Sequence, residues 1–322
     1  MILRYLLPPA LFIGLLALVP SVTSSNTILN FLVSVLIVAL AAQGWNLLGG
    51  FGGQFSFGHA AFFGTGAYAT ALLQLRGGVN AWIACLIGIV AGGIVGWVIG
   101  VLAFRARLRG SYFALVTLAF AEVLRILTNA ADFTGGAAGL LLRLDVRPMN
   151  FQFASRAVFY WIALTCVAVV LLLTLMIERG RFGAQLVAVR ENEDAARALG
   201  VDALAVKLRA ITLSAAITAA AGCLYTQYFL YLDANIAYGS WISIEALLAA
   251  IVGGIGTVVG PVIGALALHG LGELTKGFAG DITGLDLVLF GLLLVAAIGF
   301  APLGIVGSLR RLRVVRLSGG AR

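Results

Sequence analysis

The chain has 322 residues, of which 61% are hydrophobic and only 11% charged, whereas soluble domains are about 45–50% apolar and about 25% charged. So little charge cannot cover a water-soluble protein of this length, which argues against a soluble enzyme, a DNA-binding protein and a disordered chain. The net charge of +8 rests on arginine, with lysine only at Lys207 and Lys276; its short basic clusters lack the aromatic interleaving of a nucleic-acid face, so no nucleic acid is expected.

The apolar runs are continuous and about twenty residues long, which predicts an all-α, polytopic transmembrane helical bundle and not a β-barrel. In chain order they cover 5–21, 28–48, 55–74, 80–104, 110–128, 157–177, 208–231, 243–272 and 285–305. Residues 1–322 read as one membrane domain of about eight to ten spans. The first twenty-five residues, with Arg4, an apolar core and Ser24-Ser25, also fit a signal peptide. Cys85, Cys166 and Cys223 lie far apart inside apolar runs, so neither a disulfide nor a metal site is expected.

Charge sets the orientation. Arg105, Arg107 and Arg109 place the end of the fourth run inside, and alternation then puts the N-terminus inside with Arg4. The same alternation makes 129–156 a periplasmic loop and 178–207 a cytoplasmic one holding Arg179, Arg181, Arg190, Arg197 and Lys207. The basic tail 306–322 is expected inside as well, with Arg310, Arg311, Arg313 and Arg316. That parity holds only if 243–272 returns to the side from which it starts, as two short spans or a re-entrant hairpin.

Glycines concentrate in two clusters inside apolar sequence. One runs from Gly49 through Gly50, Gly52 and Gly53 to Gln54, Ser56, Gly58 and His59; the other is Gly253, Gly254 and Gly256, followed by Gly260-Pro261. Consecutive glycines weaken a helix by about 1 kcal/mol each relative to alanine. Broken helices in corresponding halves point to a translocation path; close helix packing is the plainer reading, and the one preferred for Gly92, Gly93, Gly96 and Gly100. Polar residues inside spans are functional candidates. Gln54, Ser56 and His59 follow the first break, either lining a cavity or bonding between helices. Thr117 is a weaker candidate. Glu245, at the head of the interrupted run, has no sequence-local partner. Glu122 and Arg125, three apart, suit a local ion pair.

Within 178–207, Asn192 suits an N-cap, Glu193 and Asp194 a helix first turn, and Gly200 a stop after Ala195, Ala196 and Ala198. A helix of about two turns is marginal alone, so it rests on its own chain or docks into a cytoplasmic partner. No Gly-x-x-x-x-Gly-Lys-Ser/Thr motif, His-Glu-x-x-His site or Gly-x-Ser-x-Gly elbow occurs in the sequence. Any ATP and magnesium must be held by other subunits, and this chain is expected to be a non-catalytic component without a cofactor of its own.

Three stretches resemble one family. The segment from Gly44 through Gly49-Gly50-Phe51-Gly52-Gly53-Gln54 to Tyr68 is similar to the glycine-rich segment of bacterial branched-chain amino acid ABC-transporter permeases. Arg190 to Gly200 resembles their cytoplasmic coupling segment, a variant of the Glu-Ala-Ala loop of ABC importers. Gly253-Gly254-Ile255-Gly256-Thr257 with Gly260-Pro261 resembles their C-terminal signature. Among the two permease types, loop and length look most like the LivM type. The resemblance implies a multi-pass subunit of the bacterial inner (plasma) membrane. It implies a heterodimer with a LivH-type permease, two cytoplasmic ABC ATPase subunits and a periplasmic solute-binding protein. It assigns ATPase coupling to Arg190, Glu191, Glu193, Ala196 and Gly200; Asp194 departs from the family pattern. Some relatives carry urea or short amides instead. The translocation path is expected near Gly52, Gly53, Gln54, Ser56, His59, Thr117, Glu245, Gly253, Gly254 and Gly256.

Overall fold

A computed structural model describes residues 3–23, 25–279 and 304–308, with single positions between 285 and 299. Nearly every apolar run forms a helix. In chain order these are α1 (Leu3–Ala17), α2 (Val19–Val22), α3 (Asn26–Trp45), α4 (His59–Leu75), α5 (Ala81–Arg105), α6 (Ser111–Ala130), α7 (Arg156–Arg179), α8 (Arg181–Glu191), α9 (Glu193–Ala198), α10 (Ala203–Phe229), α11 (Ala234–Ala237), α12 (Ser240–Gly253) and α13 (Gly260–Ala279). Six helical stretches among the described residues are long and apolar enough to cross a membrane. The chain is a multi-pass helical membrane protein.

The run 5–21 differs from expectation. It divides into α1 and α2 around Leu18, with Pro20 in the short second helix. At 1.5 Å per residue α1 is about 22 Å long, less than a hydrocarbon core of about 30 Å. The run 285–305 and the tail 306–322 lie largely outside the described residues.

α10 occupies the middle of the bundle, against α3, α4 and α5. Small residues let it do so. A Cβ on Gly92 would overlap Ala219, and one on Gly96 would overlap Ala215. Glycines four apart on α5 therefore form a close-packed seam. The opposite face of α5 exposes Leu86, Val90, Ile94 and Trp97, an apolar strip suited to lipid.

The interrupted run 243–272 resolves into two antiparallel helices, α12 and α13, packed on each other and on α3. Their turn is built by glycine. Gly254 has φ +127° and Gly256 φ +70°, and a Cβ on Gly253 or Gly264 would overlap backbone carbonyls of the facing helix. With α11, α12 makes a membrane-length stretch over 234–253, whereas α13 is not among the six membrane-length stretches; the segment returns toward the end from which it starts as a helical hairpin.

The loops gather at two ends. Residues 46–58, 106–110, 180–202 and 254–259 share one end, tied by contacts of Arg190, Glu193 and Asn46. The other end holds 76–80, 131–155 and 230–239. There Asn80 and Trp82 donate to the carbonyls of Met149 and Pro148, and β1 (Leu140–Leu141) pairs antiparallel with β2 (Tyr231–Leu232).

Candidate functional site

The two glycine clusters, far apart in sequence, meet at one end of the bundle. α3 does not stop at Trp45 but widens into a π-helical turn over Asn46–Phe51. Such turns occur mostly as single insertions and often at functional sites. Gln43 and Asn46, three apart and therefore on one helix face, are both fully buried. Asn46 Nδ2 donates to the carbonyl of Thr257 at 2.9 Å, and its Oδ1 accepts from the Gly256 amide at 2.8 Å. Gln43 Nε2 donates to the carbonyl of Val258 at 2.7 Å. The α12–α13 turn is thus held by three bonds from one face of α3. Glycine is required at Gly50, where a Cβ would overlap Asn46.

Arg190 ends α8 and reaches into this junction. Its Nη1 donates to the carbonyl of Gly50 at 2.9 Å, while Nε and Nη2 hold Glu191. Its methylene stem packs on Gly53, where a Cβ would overlap it and where φ is +66°. A continuous chain of contacts therefore runs from the α8–α9 segment through Gly50 and Asn46 to Gly256 and Thr257.

α9 forms as its residues predict. Asn192 Oδ1 accepts from the amides of Asp194 and Ala195, and Gly200 follows the helix with φ +84°. Glu193 faces its own chain. It meets Lys207 of α10 at 2.7 Å, Arg197 at 2.6 Å and Arg109 at 3.2 Å, with its side chain only 11% exposed. Burial works to raise its pKa, but the Lys207 hydrogen bond and charge, with Arg109 and Arg197, outweigh it and hold the carboxyl below the ordinary value. Ala196 is buried, whereas Leu199 is 85% exposed. The helix has an inner face that clasps the bundle and an outer face, with Asp194, Ala195 and Ala198, that is exposed.

The remaining candidates are spread more widely. Ser56 is enclosed, its Oγ accepting from the Gly58 amide in the turn just before α4. Gln54 donates only to the nearby carbonyl of Gly52. His59 is fully buried, with Nε2 2.9 Å from the Ser214 hydroxyl, which donates to Gly44. Thr117 is buried and accepts from the Phe57 amide, fixing the 52–58 segment against α6. Glu245 stands apart from all of these, on the α12 side of a cleft, with His269 of α13 3.1 Å away. Glu122 and Arg125 form the local pair at 2.6 Å that their spacing predicts.

Five participants are not among the site residues read from the sequence. Gln43 and Asn46 are polar residues inside an apolar run, a signal that could have found them. Lys207 is one of two lysines and His269 one of two histidines. Arg109 served to orient the chain, yet it also closes the Glu193 clasp.

The model of the family described as branched-chain amino acid transport system / permease component matches residues 27–298. The chain is 28% identical to the high-affinity branched-chain amino acid transport system permease protein LivM of Escherichia coli (strain K12), over 89% of this chain and 71% of that one. It is 26% identical to the permease protein LivH of Salmonella typhimurium, over 84% and 91%. It is 29% identical to the permease protein BraD of Pseudomonas aeruginosa, again over 84% and 91%. No solved structure matches. With the family model covering most of the chain, and a helical bundle whose two glycine breaks interlock, this chain belongs to the branched-chain amino acid transport system permease family.

Proposed function

We propose that this chain is the LivM-type membrane subunit of an ATP-driven importer of branched-chain amino acids in the bacterial inner membrane. It pairs with a LivH-type permease to enclose the path. Two cytoplasmic ATPases drive it, and a periplasmic binding protein delivers solute. The relatives' names favour this solute class over urea or amides. The end bearing α8, α9 and the two breaks is the cytoplasmic one, as the arginines at 105–109 and 179–197 require; the 129–156 loop faces the binding protein.

The observation that carries this reading is the contact chain from Arg190 through Gly50 and Asn46 to Thr257. α9 offers its outer face to the ATPase. The inner face, locked by Glu193 to Lys207, passes the motion to α10, and Arg190 passes it to both breaks. Such coupling needs an element with two arrangements that nucleotide and loaded binding protein both bias. Tightly packed glycine turns, which re-form without side-chain rearrangement, suit that role.

Reconstitution tests the reading. Proteoliposomes with all the subunits and loaded binding protein should take up leucine only with ATP. Glu193→Lys, which sets a fourth cation among Lys207, Arg197 and Arg109, should abolish uptake while both permeases stay assembled. Uptake by this chain alone without nucleotide, or full uptake and ATPase stimulation in Glu193→Lys, would refute it.

A further inference from the structure

A cleft of about 200 Å³ lies between α3, α10, α12 and α13. Its wall is almost wholly apolar, from Ile37, Val38, Ala41, Phe63 and Ile242, and among the described residues its ionisable side chains are Glu245 and His269. An ionisable pair inside a span is costly and calls for a function. Here the pair is incompletely used. His269 Nε2 sits 3.1 Å from Glu245 Oε1, yet it is buried and outside hydrogen-bond alignment with any described residue.

The cleft adjoins a larger one of about 360 Å³, with Ser34 and Phe229 lining both. That outer cleft lies beside the 144–156 loop and mixes apolar walls with the polar side chains of Asn30, Gln152, Arg156 and Gln227. Gln227 is 2% exposed, and neither atom of its amide makes an aligned hydrogen bond among the described residues. A cleft with polar groups in its wall therefore adjoins an apolar chamber holding one acid and one base.

We infer that the Glu245–His269 cleft is a transient binding site for a zwitterionic aliphatic amino acid. The ammonium group of the ligand donates to the Glu245 carboxylate and its carboxylate accepts from a ring N–H of His269, each replacing the other residue as partner. The aliphatic side chain lies against Ile37, Val38 and Ile242. The exchange leaves both polar groups partnered. A ligand lacking its ammonium or its carboxylate would leave Glu245 or the His269 ring without that partner in an apolar wall, which costs more than the lost contact itself. Selection for the zwitterion thus follows from the pair. The chamber is smaller than the 300–1,000 Å³ of drug-sized sites, in keeping with one small ligand. The inference rests on the transport reading above and adds to it where the solute pauses.

The test uses the complete transporter in lipid nanodiscs, without nucleotide, and equilibrium binding of tritiated leucine. Leucine should bind saturably, and 4-methylpentanoate and leucinamide, which lack one charge each, should compete at least about tenfold less well. Glu245→Gln and His269→Gln should each weaken leucine binding at least about tenfold, with subunit stoichiometry unchanged. Val38→Phe, which narrows the chamber without touching either charge, should also exclude leucine; it decides the matter if the polar variants fail to assemble. Equal competition by the uncharged-end analogues would mean a lipid crevice and overturn the site. So would wild-type binding in Val38→Phe, or wild-type KM and kcat for uptake in Glu245→Gln, and both results leave the transport reading standing. A wild-type complex that takes up no leucine at all overturns both.

Discussion

Arg190 shows how one side chain can belong to two systems. Its charge sits at the surface with Glu191, while one guanidinium nitrogen satisfies a carbonyl that the π-helical turn leaves available at Gly50. A lysine could supply charge but not this fork of donors. Arg190→Gln should therefore leave the transporter assembled and hydrolysing ATP, yet lower the number of leucines taken up per ATP several-fold; Arg190→Lys should recover little of it. Equal stoichiometry in wild type and Arg190→Gln would remove the residue from the coupling route. Glu193 differs, because it acts through charge. Its folded pKa lies below the ordinary 4.5, so its contribution to holding α9 is fully present above that value and fades as the pH falls through the folded pKa. Hydrogen exchange of the α9 amides should accelerate in that acid range, and Glu193→Gln should show fast exchange at neutral pH with no such dependence.

At the level of elements, α9 was the most legible part of the sequence. A cap, an acidic first turn, alanines and a terminal glycine all act within a few residues, and each is found where its chemistry puts it. The direction of Glu193 was not legible. Its partners Arg109 and Lys207 come from other elements, and only the docking of α9 on α10 brings them together. The same holds for the breaks. The glycines announced irregular backbone, but not that Asn46 would stitch one break to the other across 211 residues. Asn192→Ala should cost α9 about 1 kcal/mol through the lost cap, seen as faster exchange of its first amides. Leu199→Asp changes only an exposed side chain; it should leave the permease pair intact and weaken retention of the ATPases on co-purification.

For the whole molecule, the bundle was legible in the lengths of its apolar runs, and the two-helix return of 243–272 in the parity of its arginines. What composition could not supply was which parts move together. α10 crosses the bundle from Lys207, beside α9, to Phe229, beside the outer cleft. The glycine seam joins it to α5 so closely that the two act as one block. The α12–α13 turn is attached differently, by hydrogen bonds from Gln43 and Asn46 and by the packing of Val258 and Val259. Motion is therefore expected between that turn and α3, not between α9 and α10. Two cross-links separate these alternatives in a chain whose three native cysteines are replaced. A cysteine pair at 193 and 207, bridged by a thiol reagent, restores covalently what the ion pair does, and uptake should survive. A bridged pair at 46 and 257 fixes the two breaks in one arrangement, and uptake should stop until the bridge is reduced, while ATP binding continues. If the 46–257 bridge leaves uptake at the unbridged rate, the breaks do not rearrange in the cycle. If instead the 193–207 bridge stops it, the motion passes through α9 swinging on α10, and the rigid block assigned here is the wrong one.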